Sequence, residues 1–153
     1  MEVRELLEGD TRLAHEAMRA LRPAYEQEAD FVARVDGTQR AEGYRIVAAL
    51  VPGREHAVAV AGFRTGHSLA WGHYLYVDDL STLPDARGRG HAGALLDWLD
   101  AEGRRLECDQ LHLDSATTPE RFAAHRLYHQ RGLAIHAHHF GRSIRASTPE
   151  EMS

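Results

Sequence analysis

Between Pro84 and a long amphipathic stretch the chain reads Arg87-Gly88-Arg89-Gly90-His91-Ala92-Gly93. Glycines let the backbone approach a ligand without a Cβ in the way. A helix starting there turns unpaired N–H groups, and the positive end of its dipole, onto an anion. The chemistry this offers is the cradling of a phosphate. A Walker-type loop is excluded, because it needs a lysine after its last glycine and all 18 basic residues are arginine. Gly88, Gly90 and Gly93 also spell G-x-G-x-x-G. That dinucleotide fingerprint follows directly on a buried first strand, whereas here Pro84-Asp85-Ala86-Arg87 intervenes. His136 and His138 would share one face of a strand, with His139 beside them, but no cysteine or acid stands at a companion spacing and no metal is expected. Cys108 reads as a core residue.

The elements that must position this loop follow from periodicity. Val3 to Leu7 suits a short strand, and Asp10 is placed to cap a helix carrying Leu13, Ala17, Met18 and Leu21, closed by Pro23. Tyr25 to Val35 predicts a second helix that Asp36-Gly37 ends. Strands are expected over Tyr44 to Val51, His56 to Arg64 and Trp71 to Thr82, with turns at Pro52-Gly53 and Thr65-Gly66, as an antiparallel meander. Ala92, Leu95, Leu96, Leu99, Gly103 and Leu106 then mark one face of a helix from about Arg89 to Glu107. A strand over Leu111 to Ser115, a helix from Pro119 to before Gly132 and a final strand over Leu133 to Phe140 complete a mixed α/β fold.

With 153 residues and 43% hydrophobic content the chain suits one domain, expected over 1–145, with a loose tail at 146–153. A net charge of -5 argues against nucleic acid as a partner. No apolar stretch approaches the roughly 20 residues of a membrane span. The single cysteine and an amino end unlike a leader make the cytoplasm the expected compartment. Leu21 and Tyr25 offer a surface for a homodimer.

The spacing Arg87, Gly90, Ala92 after a strand and at the start of a helix resembles the GNAT superfamily of N-acetyltransferases. Tyr76-Val77-Asp78-Asp79-Leu80-Ser81-Thr82 before it, Leu111 to Ser115 after it, and Ala124-His125-Arg126-Leu127-Tyr128 followed by Gly132-Leu133 extend the likeness over about residues 74 to 140. The resemblance implies a single twisted mixed sheet with helices on both faces and splayed central strands. It also implies acetyl coenzyme A as cosubstrate, its pyrophosphate on the N–H groups of Arg87, Gly88, Arg89, Gly90, His91, Ala92 and Gly93, and its pantetheine arm along the main chain of Leu80 and Thr82.

Acetyl transfer needs a neutral amine, and a lysine-like amine with a pKa of about 10.4 is protonated at neutral pH. Asp78 and Asp79 are adjacent carboxylates whose side chains alternate across a regular strand. Asp78 is expected on the face of Leu80 and Thr82. The strand looks like that of the spermidine/spermine acetyltransferases, which makes Asp78, directly or through a water, the base and sets Tyr76 and Asp79 beside the acceptor. Tyr128 holds the family position of the acid that reprotonates the thiolate. Where the family often has an asparagine seven residues earlier, this chain has Arg121, a candidate phosphate contact. The implied reaction is direct acetylation of a primary amine on a small molecule, cationic and polyamine-like. A protein amine as acceptor, or a coenzyme A-binding module without turnover, are the alternatives.

Overall fold

Arg45 to Leu50 is apolar on both faces apart from its first residue, the composition of a strand covered on both sides. The structure, a computed structural model, describes residues 1–145; the expected tail at 146–153 lies outside them. It forms two compact units, Met1–Leu113 and Asp114–Ser153.

The first unit is built on one sheet. Strands β1 (Glu2–Leu6), β2 (Arg45–Leu50), β3 (Ala59–Ser68), β4 (Gly72–Thr82) and β5 (Gln110–Leu113) lie side by side in chain order. Each pairing is antiparallel except β4 with β5, which is parallel. A parallel pair needs a crossover, and α3 (His91–Arg105) supplies it.

Alternation gives the sheet two buried faces. Leu6, Tyr44, Ile46, Ala48 and Val60 cluster with Leu13, Ala14, Ala17, Met18, Phe31 and Val35, which come from a 3-10 turn (Thr11–Ala14), α1 (His15–Leu21), α2 (Glu28–Arg34) and the residue after it. Phe63, on the other face, meets Trp98 of α3 edge-on at 5.8 Å, with Leu75, Leu95 and Leu99 fully buried. Helices thus cover both faces.

An ion network around the buried Glu102 ties α3 to the sheet edge. Arg45 of β2 binds Glu5 of β1 at 2.7 and 2.8 Å, stacks over Phe63 at 4.8 Å, and bonds Glu102, which Arg105 also holds. Hydrogen bonds from Arg105, joined by those from Arg45 and opposed by burial, hold the Glu102 carboxyl down to about 2. A depressed carboxylate stabilises the fold above its unfolded pKa, and that contribution is lost as pH falls from the ordinary carboxylate range towards about 2. Glu102→Ala is therefore expected to cost about 1–2 kcal/mol at pH 7, a figure reduced for solvent screening of the arginines. The loss should shrink in acid, and thermal melts at neutral and low pH check both.

Four expectations are corrected. Asp10 stands at the N-cap of the 3-10 turn before α1 but makes no side-chain cap: its carboxylate takes Arg4 at 3.3 Å, and α1 starts only at His15. Asp36-Gly37 does not end the second helix. Asp36 accepts from Thr11 and Arg40, and Arg40 also reaches the Leu6 carbonyl, so helical backbone runs on through Val35–Gln39 and Arg40–Glu42. Thr65-Gly66 is not a turn, because Gly66 makes room for the Tyr74 ring; a Cβ there would lie 2.6 Å from the Tyr74 hydroxyl. The hairpin turns instead at 69–71. Leu133 to Phe140 forms no strand.

The second unit holds α4 (Phe122–Gln130), entered through a 3-10 turn at Pro119–Arg121. Gly132 and Leu133 close it by donating to the carbonyls of His129 and Tyr128. Among the described residues no helix is long and apolar enough to cross a membrane.

Candidate active site

The register of β3 against β4 slips at one place. Gly62 faces Asp79 and Phe63 faces Val77, which leaves Asp78 as the extra residue of a bulge. The bulge overturns the expectation that the two carboxylates point to opposite faces. Both line a cavity of about 450 Å³ with Arg22, Gln39, Glu42, Tyr44 and Arg64. Leu80 and Thr82 pair with Ala61 and Ala59, which share the alternate face with Phe63, so Asp78 does not lie on their side.

Both carboxylates are held by arginine. Arg64 grips Asp78 through both oxygens at 2.9 and 3.0 Å and lies over the Tyr76 ring at 5.2 Å. Arg22, just past α1, donates to Asp79 at 2.9 Å and to the Asp78 carbonyl at 3.1 Å. Tyr44 donates its phenol proton to the other oxygen of Asp79 at 2.6 Å. Burial, reinforced by Asp79, pushes the Tyr44 phenol well above its ordinary value. Gly62 is what lets Tyr44 arrive, since a Cβ there would lie 1.7 Å from the Tyr44 hydroxyl.

On its other side β4 pairs with β5 only over Tyr74–Val77, so among the described residues its edge from Asp78 to Thr82 has no strand partner there. The chain then runs through a 3-10 turn at Pro84–Ala86 into the glycine loop. Gly88 and Gly90 take φ of 77° and 83°, a conformation that favours glycine, and a Cβ on either would meet open space. Gly90 caps α3 with no side-chain hydrogen bond, which leaves the first-turn amides available to an anion. Arg87 and Arg89 are exposed, whereas the His91 ring is buried, so His91 can offer a ligand its main chain. Burial, then the charge of Arg89, lowers the pKa of His91. The loop and open strand edge together suit an extended ligand that carries phosphate.

Tyr128 lies on α4 in the second unit and is buried. Arg121 donates to its hydroxyl at 3.3 Å. Burial raises the phenol pKa, against the lowering effect of Arg121. Among the described residues no three histidine, cysteine or acidic side chains group to hold a metal ion, and His139 instead pairs with Asp114 at 3.1 Å.

The structure thus brings Tyr76, Asp78 and Asp79 together around Arg64 and Arg22, and leads from Leu80 and Thr82 at the end of β4 through the 3-10 turn to the glycine loop. Tyr44, Arg22, Arg64, Gln39, Glu42 and Gly62 were not singled out as functional from sequence. One signal was present: a glycine inside an apolar strand marks a bulge or a close approach, and Gly62 is both.

The architecture matches that of solved acetyltransferases. One from Trypanosoma brucei superposes with a TM-score of 0.76 at 21% identity, covering 94% of this chain and 99% of that one. An aminoglycoside N-acetyltransferase, AAC(6')-Iy in complex with CoA, gives 0.77 at 16% identity over 95% of each chain. A ribosomal-protein-alanine N-acetyltransferase from Brucella melitensis biovar Abortus 2308 gives 0.74 at 21%, over 95% of this chain and all of that one (100%). No curated protein matches the chain in sequence. The family model for the acetyltransferase (GNAT) family matches residues 5–133, most of the chain, and on that match the chain belongs to this family.

Proposed function

We propose that this protein transfers the acetyl group of acetyl-CoA directly to the primary amine of a small cationic molecule. The observation that carries this reading is the unpaired β4 edge from Asp78 to Thr82 leading into an uncapped, glycine-lined helix start. In this reading the amides of Arg87 to Gly93 hold the pyrophosphate, and the main chain of Leu80 and Thr82 binds the pantetheine arm. Asp78, directly or through a water, takes the proton of the acceptor's ammonium, with Tyr76 and Asp79 beside it. The amine nitrogen bonds the acetyl carbon and releases its second proton to water, the carbon–sulfur bond breaks, and Tyr128 gives its phenol proton to the departing thiolate.

The cavity's own contacts support a cationic acceptor. Its carboxylates Asp78 and Asp79 already bind two guanidinium groups, which stand in for an ammonium, and Glu42 adds a third acid. An acceptor ammonium would compete with Arg64 for Asp78. The same contacts favour a second reading, a coenzyme A-binding module without turnover, because both carboxylates are occupied. A thiol-release assay with acetyl-CoA over polyamines, amino sugars and lysine peptides separates these. Turnover with a small cationic amine supports the enzyme, preference for a peptide points to a protein acceptor, and silence with tight CoA binding supports the module. The partly exposed Leu21 and Tyr25 suit a homodimer surface, which sedimentation would detect, and the lone Cys108 suits a cytoplasmic setting.

A further inference from the structure

Arg121 stands seven residues before Tyr128, a spacing that returns a helical side chain to nearly the same face. It is not turned out to solvent as a free charge. Its Nη2 donates to the Tyr128 hydroxyl at 3.3 Å and its Nε approaches the Ser115 hydroxyl at 3.5 Å. Ser115 is in turn fixed by His125 at 3.1 Å, and His125 reaches the Ala116 carbonyl at 2.9 Å. The Tyr128 oxygen therefore accepts a charged hydrogen bond, while its own proton goes to no group among the described residues. A buried phenol that is held through its oxygen keeps its proton out of that contact.

We propose that Arg121 is a positioning residue for Tyr128: it orients the phenol and provides the counter-charge when the phenol releases its proton. This rests on the reading of Tyr128 as proton donor to the coenzyme A thiolate. In that step the O–H bond breaks, its electron pair stays on oxygen, and an S–H bond forms. A buried phenolate without a partner is costly, and a hydrogen bond between opposite charges is about twice as strong as a neutral one. Arg121 keeps its proton throughout, because guanidinium does not deprotonate in proteins. The phenolate recovers its proton from water. The charged groups that face Tyr128 within its unit are Arg121 and, at 6.4 Å between ring centroids, His125 when it is protonated.

The test compares the full chain with its Arg121→Met, Arg121→Lys and Tyr128→Phe variants in two readouts. Steady-state kinetics with acetyl-CoA should show Arg121→Met lowering kcat about 10-fold or more with the acetyl-CoA KM within about twofold, and Arg121→Lys recovering most of the loss. Ultraviolet titration of tyrosinate, with Tyr128→Phe subtracted to isolate the one phenol, should show Tyr128 ionising about one pH unit or more higher in Arg121→Met. An unmoved titration overturns the proposal, and so does a raised KM with unchanged kcat, which would make Arg121 a donor-binding residue. Should Arg121→Met not fold, Arg121→Gln, of nearly the same length and without charge, takes its place under the same criteria. If Tyr128→Phe leaves kcat unchanged, the acid reading itself falls. The titration still reports separately whether Arg121 governs the phenol.

Discussion

Tyr128→Phe is expected to lower kcat by about 10²-fold or more while leaving the acetyl-CoA KM nearly unchanged. In the proposed reading the phenol contributes only when sulfur carries negative charge, so its loss should fall on the transition state and not on binding of the donor. Burial raises the Tyr128 pKa above its ordinary value of 10 despite Arg121, so the group holds its proton at neutral pH. Activity should accordingly show no alkaline loss from this residue below about pH 10. Steady-state kinetics from neutral to alkaline pH give both quantities. An unchanged kcat would remove Tyr128 from the chemistry.

The second large effect is expected at Asp78. Asp78→Asn keeps an oxygen for Arg64 but cannot take a proton, so kcat/KM at pH 7 should fall by about 10²- to 10⁴-fold. That deficit should narrow as pH rises towards the acceptor's own pKa of about 10.4, where the free amine needs no base. An equal loss at every pH would mean that Asp78 acts only by holding Arg64 and not as the base. The bidentate grip of Arg64 on Asp78 makes this contrast informative, since the two roles share one side chain.

The parts of the molecule legible in its sequence are those governed by local rules. The glycine spacing at Arg87 to Gly93, the three- and four-residue apolar intervals of α3 and the alternation in β4 each express a short-range constraint, and each element formed within two residues of its expected bounds. The cavity around Asp78 and Asp79 was legible only in part. Asp78 and Asp79 stood out as adjacent acids, but the bulge that turns both onto one side arises from the register of β3 against β4, a long-range property. Tyr44 reaches Asp79 across 35 residues of sequence, and Arg22 across 57, through contacts that only the folded sheet creates. Leu133 to Phe140 shows why alternation alone misleads: a strand needs a partner to bond with, and the alternating pattern by itself supplies none. The same holds for Asp36-Gly37, where a carboxylate anchored by Thr11 and Arg40 overrides a local stop signal.

Main-chain amides at the start of α3 holding a diphosphate are the centre of this account. A ¹⁵N–¹H correlation spectrum of the full chain, titrated with coenzyme A, tests them most directly. The largest amide shifts should fall on Arg87 to Gly93, saturating with the donor, and a parallel titration with dethio-coenzyme A should reproduce them because the thiol plays no part there. Saturable binding with those amides unmoved, or no binding at all, would contradict it.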